Sequence, residues 1–288
     1  MNMKKNLPAR RRKNSAAAAT EICLAALTWA AALLSAGVLL YLIGFILSRG
    51  LPYLKPSLFS LRYNSTNVSL LPALISTVYM TLLSLALALP LGIGAAIYLA
   101  EYARRGHRGV LLIRLAAETL AGIPSIVYGL FGMLFFVTWL GWGYSLLAGA
   151  CTLAVMILPL LLRASEEALL AVPDAYREGA LALGAGKLRT VWRIVLPAAV
   201  PGVLAGVILA VGRVVGETAA LIYTAGTVAR IPVDVFSSAR TLSVHMYALS
   251  REGLHTNEAY ATAVVLLAAV TGLNALAASV AGRLRRES

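Results

Sequence analysis

Arg213 precedes Glu217 by four residues in the stretch Gly212-Arg-Val-Val-Gly-Glu-Thr218, which has apolar sequence on both sides. An unpaired guanidinium at membrane depth costs roughly 2.5–3.5 kcal/mol on insertion scales. On a helix, a spacing of four puts Glu217 one turn away on the same face, where the two charges neutralise each other. Such a pair has two readings. It is a purely structural ion pair, or it is an anion relay in which the planar fork of Arg213 offers two donors to a tetrahedral oxyanion while Glu217 competes for the fork, so that the anion does not bind too tightly to leave. A second polar feature is Gly122-Ile-Pro-Ser125. Pro124 removes a helical hydrogen bond and permits a kink that exposes the Ser125 hydroxyl. A broken helix at membrane depth lines a polar cavity; a packing bend, followed by Gly129 and Gly132 on a small-residue face, is the alternative. Thr218, next to Glu217, joins Arg213, Glu217 and Ser125 as a candidate for contact with such an anion. Glu118 stands near the membrane interface or at a gate, and Pro90, Gly92 and Gly94 serve packing.

Catalytic readings are weak. His107, His245 and His255 have no metal-ligand spacing, and the sequence contains no nucleophile elbow, no HExxH and no phosphate-cradling P-loop. The chain is therefore not expected to hydrolyse ATP, to bind a metal or to carry a cofactor of its own. Cys23 and Cys151 both lie in apolar segments and read as small buried hydrophobes rather than a disulfide framework.

These residues sit in a chain of 288 residues that is 60% hydrophobic and only 13% charged. Its mean hydropathy is +0.81. Apolar runs long enough to cross a bilayer recur at about 22–48, 71–100, 112–138, 144–163, 196–226 and 259–282, and helices are the required form because hydrocarbon offers no partner to an open backbone. The expectation is an all-α membrane protein with six transmembrane helices: a basic segment 1–21, one membrane domain 22–282 and a short tail 283–288. The first apolar run is too long for a signal peptide and is read as a retained span. The net charge of +13 raises nucleic-acid binding. However, the basic residues cluster in short segments between apolar runs, which points to the anionic lipid surface and excludes nucleic acid as the partner. Six of them precede Glu21, four fall in 104–114, five in 163–193 and three after Gly282, against six in the segments of the opposite side. That bias puts both termini in the cytoplasm.

The sizeable cytoplasmic segment is the loop 164–193. Pro173 and Asp174 suit the start of a short helix running to about Leu183, Gly184-Ala-Gly186 suits a turn, and Lys187 to Arg193 leads back to the membrane at Pro197. Gly179, Ala180, Ala182 and Gly184 are small enough to let another protein approach the backbone, while Arg177 and Glu178 supply charges that lock orientation. The profile is that of a docking element.

The pattern Glu-x-Ala-x3-Gly-x9-Ile-x-Leu-Pro, formed by Glu178, Ala180, Gly184, Ile194, Leu196 and Pro197, resembles the EAA loop of ABC-importer permeases, with Gly179 where the first alanine of that family stands. Two further stretches, Ala121 to Gly132 (AGIPSIVYGLFG) and Gly212 to Gly226 (GRVVGETAALIYTAG), together with IYLAEY at Ile97 to Tyr102, are similar to the phosphate-specific permeases. Among these the second resembles the PstA-type subunit more than its PstC-type partner. The resemblance implies a type I ABC importer permease fold in the inner membrane, translocating inorganic phosphate. By the same resemblance loop 164–193 is a coupling helix seated on a cytoplasmic ATPase dimer, which binds the ATP and Mg. A homologous second permease and an extracytoplasmic phosphate-binding protein complete the implied complex. Another oxyanion, or the PstC-type role, is the alternative within the class; an ATPase-independent channel or carrier is the alternative outside it.

Overall fold

The computed structural model describes residues 15–104 and 106–287; most of the basic segment 1–21 lies outside them. Among the described residues the elements are helices: α1 (Ser15–Gly50), α2 (Leu71–Ile97), α3 (Arg108–Ala121), α4 (Ser125–Gly132), α5 (Leu146–Leu170), α6 (Asp174–Ala182), α7 (Lys187–Thr190), α8 (Leu196–Gly216), α9 (Ala219–Thr224), α10 (Leu242–Glu252) and α11 (Thr256–Glu287). Wider π-helical turns extend three of them: Tyr98–Tyr102 follows α2, Met133–Trp139 follows α4, and Val191–Val195 joins α7 to α8.

The chain divides into two compact units, one ending at Ser48 and one from Arg49 to Ser288. The first carries most of α1, in which Ile22, Trp29, Leu33 and Leu40 are exposed, while Phe45, Ile46 and Leu47 near its end are half-buried. Such a helix is stable in hydrocarbon, where exposed apolar surface carries no cost.

In the second unit α5 is the central element. Its Leu153, Ile157 and Leu161 are fully buried with Met80 and Ala88 of α2 and Ala210 of α8. Small residues set how closely these helices approach, because van der Waals packing rather than the hydrophobic effect drives helix association in lipid. A Cβ on Gly202 or Gly206 of α8 would stand 2.6 or 2.5 Å from the Cβ of Ala168 or Ala164 on α5, and one on Gly92 of α2 would stand 3.0 Å from that of Leu161. Two ion pairs cross from α5 to α3: Arg114 Nη2 to Glu166 Oε1 at 2.6 Å, and Arg163 Nη2 to Glu118 Oε2 at 3.2 Å. Glu118 is thereby placed as one half of an interhelical pair.

Among the described residues five helical segments are long and apolar enough to cross a membrane: Thr20–Tyr53, Leu71–Tyr102, Leu146–Leu170, Lys187–Gly216 and Thr256–Leu276. The sixth is α3 with α4, if the two halves form one span, because the chain bends by 100° between them. The run 112–138 is thus broken rather than kinked. Pro124 caps α4 with ψ 140°, and its extended backbone separates the two halves. The run 196–226 differs as well: the helix stops at Gly216, and Glu217 and Thr218 separate it from α9.

Candidate functional site

The helices that follow the two breaks, α4 and α9, pack against each other. Gly129 of α4 lies so close to α9 that a Cβ there would come within 2.8 Å of the Ala220 Cα. Gly132 faces Thr152 and Thr224, with no room for a side chain. The small-residue face read at Gly129 and Gly132 therefore exists, and it holds the broken halves of two spans together. Tyr128, 4% exposed, shares a core with Ile123 and Val214, and its hydroxyl donates to the Leu120 carbonyl at 2.8 Å. That bond adds a side-chain donor to a carbonyl that also accepts the Ile123 N–H at 3.1 Å, and it fastens one side of the bend to the other.

The helical pairing of Arg213 with Glu217 does not form. Glu217 has extended backbone, φ −72° and ψ 129°, so the register that would bring the carboxylate under Arg213 is lost. Its Oε1 instead accepts from the Ala220 N–H at 3.0 Å, capping α9, and its carbonyl accepts from Ser243 Oγ at 2.6 Å. Arg213 is half-buried in the last turn of α8. Among the described residues it makes no hydrogen bond or ion pair. Ser125, half-buried at the first position of α4, likewise has no partner among them. Thr218 stands in the α8–α9 break, its Oγ1 at 3.5 Å from the Gly216 carbonyl. The four candidates therefore fall at the two breaks: Arg213, Glu217 and Thr218 at one, Ser125 at the other.

The sequence signals did not reveal what holds the second break. Thr241 immediately precedes α10, its hydroxyl is 3.1 Å from that of Ser243, and the Leu242 N–H donates to Thr77 Oγ1 of α2 at 2.8 Å. Behind them His245 is fully buried. Its Nδ1 is 3.4 Å from Arg240 Nη1 and its ring meets that of Tyr63 edge-on at 6.0 Å. Burial and the neighbouring guanidinium push its pKa down to about 4. A run of Thr, Ser and His at the start of an extramembrane helix was the available signal.

At the other end, the segment 164–193 begins later as a loop than its sequence suggested, because α5 continues to Leu170; beyond it come α6, a turn, α7 and the start of the π-turn at Val191. Gly184 takes φ +80°, and the turn closes with the Ala185 N–H on the Ala180 carbonyl and the Gly184 N–H on the Leu181 carbonyl, both at 3.0 Å. This is the paired bonding of a helix end with a left-handed residue, and it requires glycine. Glu178 and Gly179 are exposed, and Ala180 is buried. Leu196 is half-buried and Pro197 exposed in the first turn of α8. Exposed Tyr176, Leu181, Leu183, Leu188 and Trp192 give the segment an uncovered apolar surface. Arg177 differs from the expectation of a docking charge: its guanidinium points into the chain, to Glu101 beyond α2. Glu101, an acid at the end of a long apolar span, was the sequence signal that a cation must come to meet it.

Residues 88–287 match the family model described as binding-protein-dependent transport system inner membrane component, and the chain belongs to that family. It is a multi-pass inner-membrane permease subunit of an ABC importer, not an enzyme. A probable ABC transporter permease protein of Bacillus subtilis, YqgI, is 35% identical over 239 residues, covering 76% of this chain and 79% of the relative. The phosphate transport system permease protein PstA 1 of Mycobacterium tuberculosis (strain H37Rv) is 37% identical over 211 residues, covering 72% of this chain and 68% of the relative. Among solved structures, a bacterial ABC transporter involved in the import of the acidic polysaccharide alginate matches with a TM-score of 0.61 at 16% identity, over 92% of this chain and 98% of that one. That likeness establishes the type I importer permease fold.

Proposed function

We propose that this chain is the PstA-type subunit of an ATP-driven phosphate importer and that Arg213 is a ligand for the passing anion. The observation that carries the reading is the state of Arg213: a half-buried guanidinium with no partner among the described residues, beside a carboxylate already committed to Ala220. A cation left open in this way at a break between membrane helices invites a mobile anion, and its planar fork suits a tetrahedral oxyanion. Ser125 and Thr218 add hydroxyl donors at the two breaks. The relatives named as PstA proteins support phosphate as the cargo.

In this reading Glu178, Gly179, Ala180, Gly184, Leu196 and Pro197 form or flank the coupling segment. The apolar surface around α6 and α7 meets a cytoplasmic ATPase dimer, and ATP and Mg bind there rather than in this chain. A homologous second permease stands beside it, an extracytoplasmic phosphate-binding protein delivers the cargo, and both termini lie in the cytoplasm. Uptake of labelled phosphate into sealed vesicles of the assembled complex, with and without ATP on the ATPase side, tests cargo and energy source together. Uptake that ignores ATP contradicts the energy source; ATP-dependent uptake of another oxyanion in preference to phosphate contradicts the cargo.

A further inference from the structure

We infer that α2 is a strut joining the coupling segment to the break that carries Glu217, and that Arg177 is the positioning residue which fastens its cytoplasmic end. The inference rests on the reading of α6 as the segment seated on the ATPase.

At that end α6 has little apolar attachment, since Ala180 is its only buried residue. Arg177 supplies the attachment. Its Nη2 and Nε donate to Glu101 Oε1 at 2.7 and 3.0 Å, its Nη1 to the Val172 carbonyl at 2.6 Å, and its Nη2 also to the Leu169 carbonyl at 2.8 Å. A further contact at 3.2 Å reaches Asp174 on α6 itself. The side chains of Arg177 and Glu101 are 17% and 7% exposed, so the pair is shielded from the water and salt that weaken surface ion pairs. One guanidinium thus binds α6 at once to the π-turn continuing α2 and to the end of α5, where the freed carbonyls need donors. A displacement of α6 cannot leave α2 behind without breaking a buried charge pair.

The other end of α2 is equally tied. Thr77 donates to the Ala73 carbonyl at 2.7 Å and accepts the Leu242 N–H at 2.8 Å. On the next residue of α10, Ser243 Oγ donates to the Glu217 carbonyl at 2.6 Å. Between these ties the chain runs from Thr77 to Glu101 as α2, with Pro90 inside it, and the π-turn that continues it, about 36 Å of continuous helix. Arg177, Glu101, α2, Thr77, Leu242, Ser243 and Glu217 therefore form an unbroken series of polar bonds and covalent helix from the coupling segment to the α8–α9 break. Contiguity alone does not establish coupling, so the test measures transmission.

A single cysteine at Ala219, in a chain lacking Cys23 and Cys151 and co-expressed with its ATPase and second permease, reports the state of the break through its rate of maleimide labelling with and without ATP plus vanadate. The expected result is a nucleotide-dependent rate in the parent chain that is lost in Arg177→Gln and also in Thr77→Val, with the ATPase still co-purifying. Thr77→Val lies far from the ATPase and keeps its side-chain volume, so it separates lost transmission from lost docking or folding. The Arg177→Gln, Thr77→Val double variant should behave like either single one, because a strut cut once transmits nothing. A nucleotide-dependent rate that persists in either single variant with the ATPase bound, or no such rate in the parent complex, overturns the inference while leaving the docking reading intact. Failure of the ATPase to co-purify with the parent chain overturns both.

Discussion

Glu217 turns its carboxylate onto the Ala220 N–H, 3.0 Å away, and leaves Arg213 four residues behind it without a counter-charge among the described residues. A structural ion pair predicts that removing both charges restores what removing one destroys. The observed geometry predicts otherwise. Arg213→Gln should lower uptake by about 10- to 100-fold, the worth of one charge-assisted contact, and adding Glu217→Gln should not restore it. Glu217→Gln alone keeps an acceptor for Ala220 and should be the mildest of the three. Uptake at matched membrane abundance checks the order.

The coupling segment yields a second expectation. Gly184 sits at φ +80° with open space around its Cβ position, so Gly184→Trp strains the turn and places a large side chain on the exposed surface without colliding inside the chain. Together with Glu178→Lys, which reverses an exposed charge, it should leave insertion intact and reduce both ATPase co-purification and ATP-driven uptake. Normal values for both would remove this surface from the docking role.

His245 gives a pH dependence whose sign follows from its neutral state. Its pKa falls from the ordinary 6.5 to about 4 on folding, so the unfolded chain binds the extra proton first. The stability contributed by neutral His245 is complete above pH 6.5 and is lost progressively as pH falls toward 4, by roughly 3 kcal/mol in all. The charged neighbour is Arg240, and the other facing ring is Tyr63. His245→Phe keeps an aromatic ring against Tyr63 and cannot titrate. Melting temperatures measured in detergent between pH 7.5 and 4.5 should fall more steeply for the parent chain than for this variant; parallel profiles would contradict the assignment.

The α5–α8 crossing makes a packing prediction. Gly206→Ala places a methyl group against the Ala164 Cβ and should cost about 1–3 kcal/mol. Ala164→Gly should recover part of that loss, which thermal unfolding of the single and double variants would measure.

What was legible in the sequence was local. The spans followed from hydropathy, and the helix, turn and helix of loop 164–193 followed from Pro173, Asp174 and Gly184, whose effects reach only a few residues. The Arg213–Glu217 pairing failed because the end of α8 is held by distant groups: Ser243 bonds to Glu217 from 26 residues away, and Thr77 holds α10 across 165. No window around residue 217 contains them. The inward turn of Arg177 was hidden for the same reason, since Glu101 is 76 residues earlier. Pro124 marked the place of the third-span break, but its 100° size depends on packing of α4 against α9 that neither segment announces alone.

If Arg213 serves a phosphate ion moved at the expense of ATP, labelled phosphate uptake into vesicles of the assembled complex should distinguish the parent chain from Arg213→Lys at equal abundance and equal ATPase content. Lysine keeps the charge but not the planar fork, so ATP-dependent phosphate uptake is expected in the parent and a clear loss in the variant, with assembly unchanged. Full phosphate uptake by Arg213→Lys together with Arg213→Gln, or no ATP-dependent phosphate uptake by the parent complex, would contradict that role for Arg213.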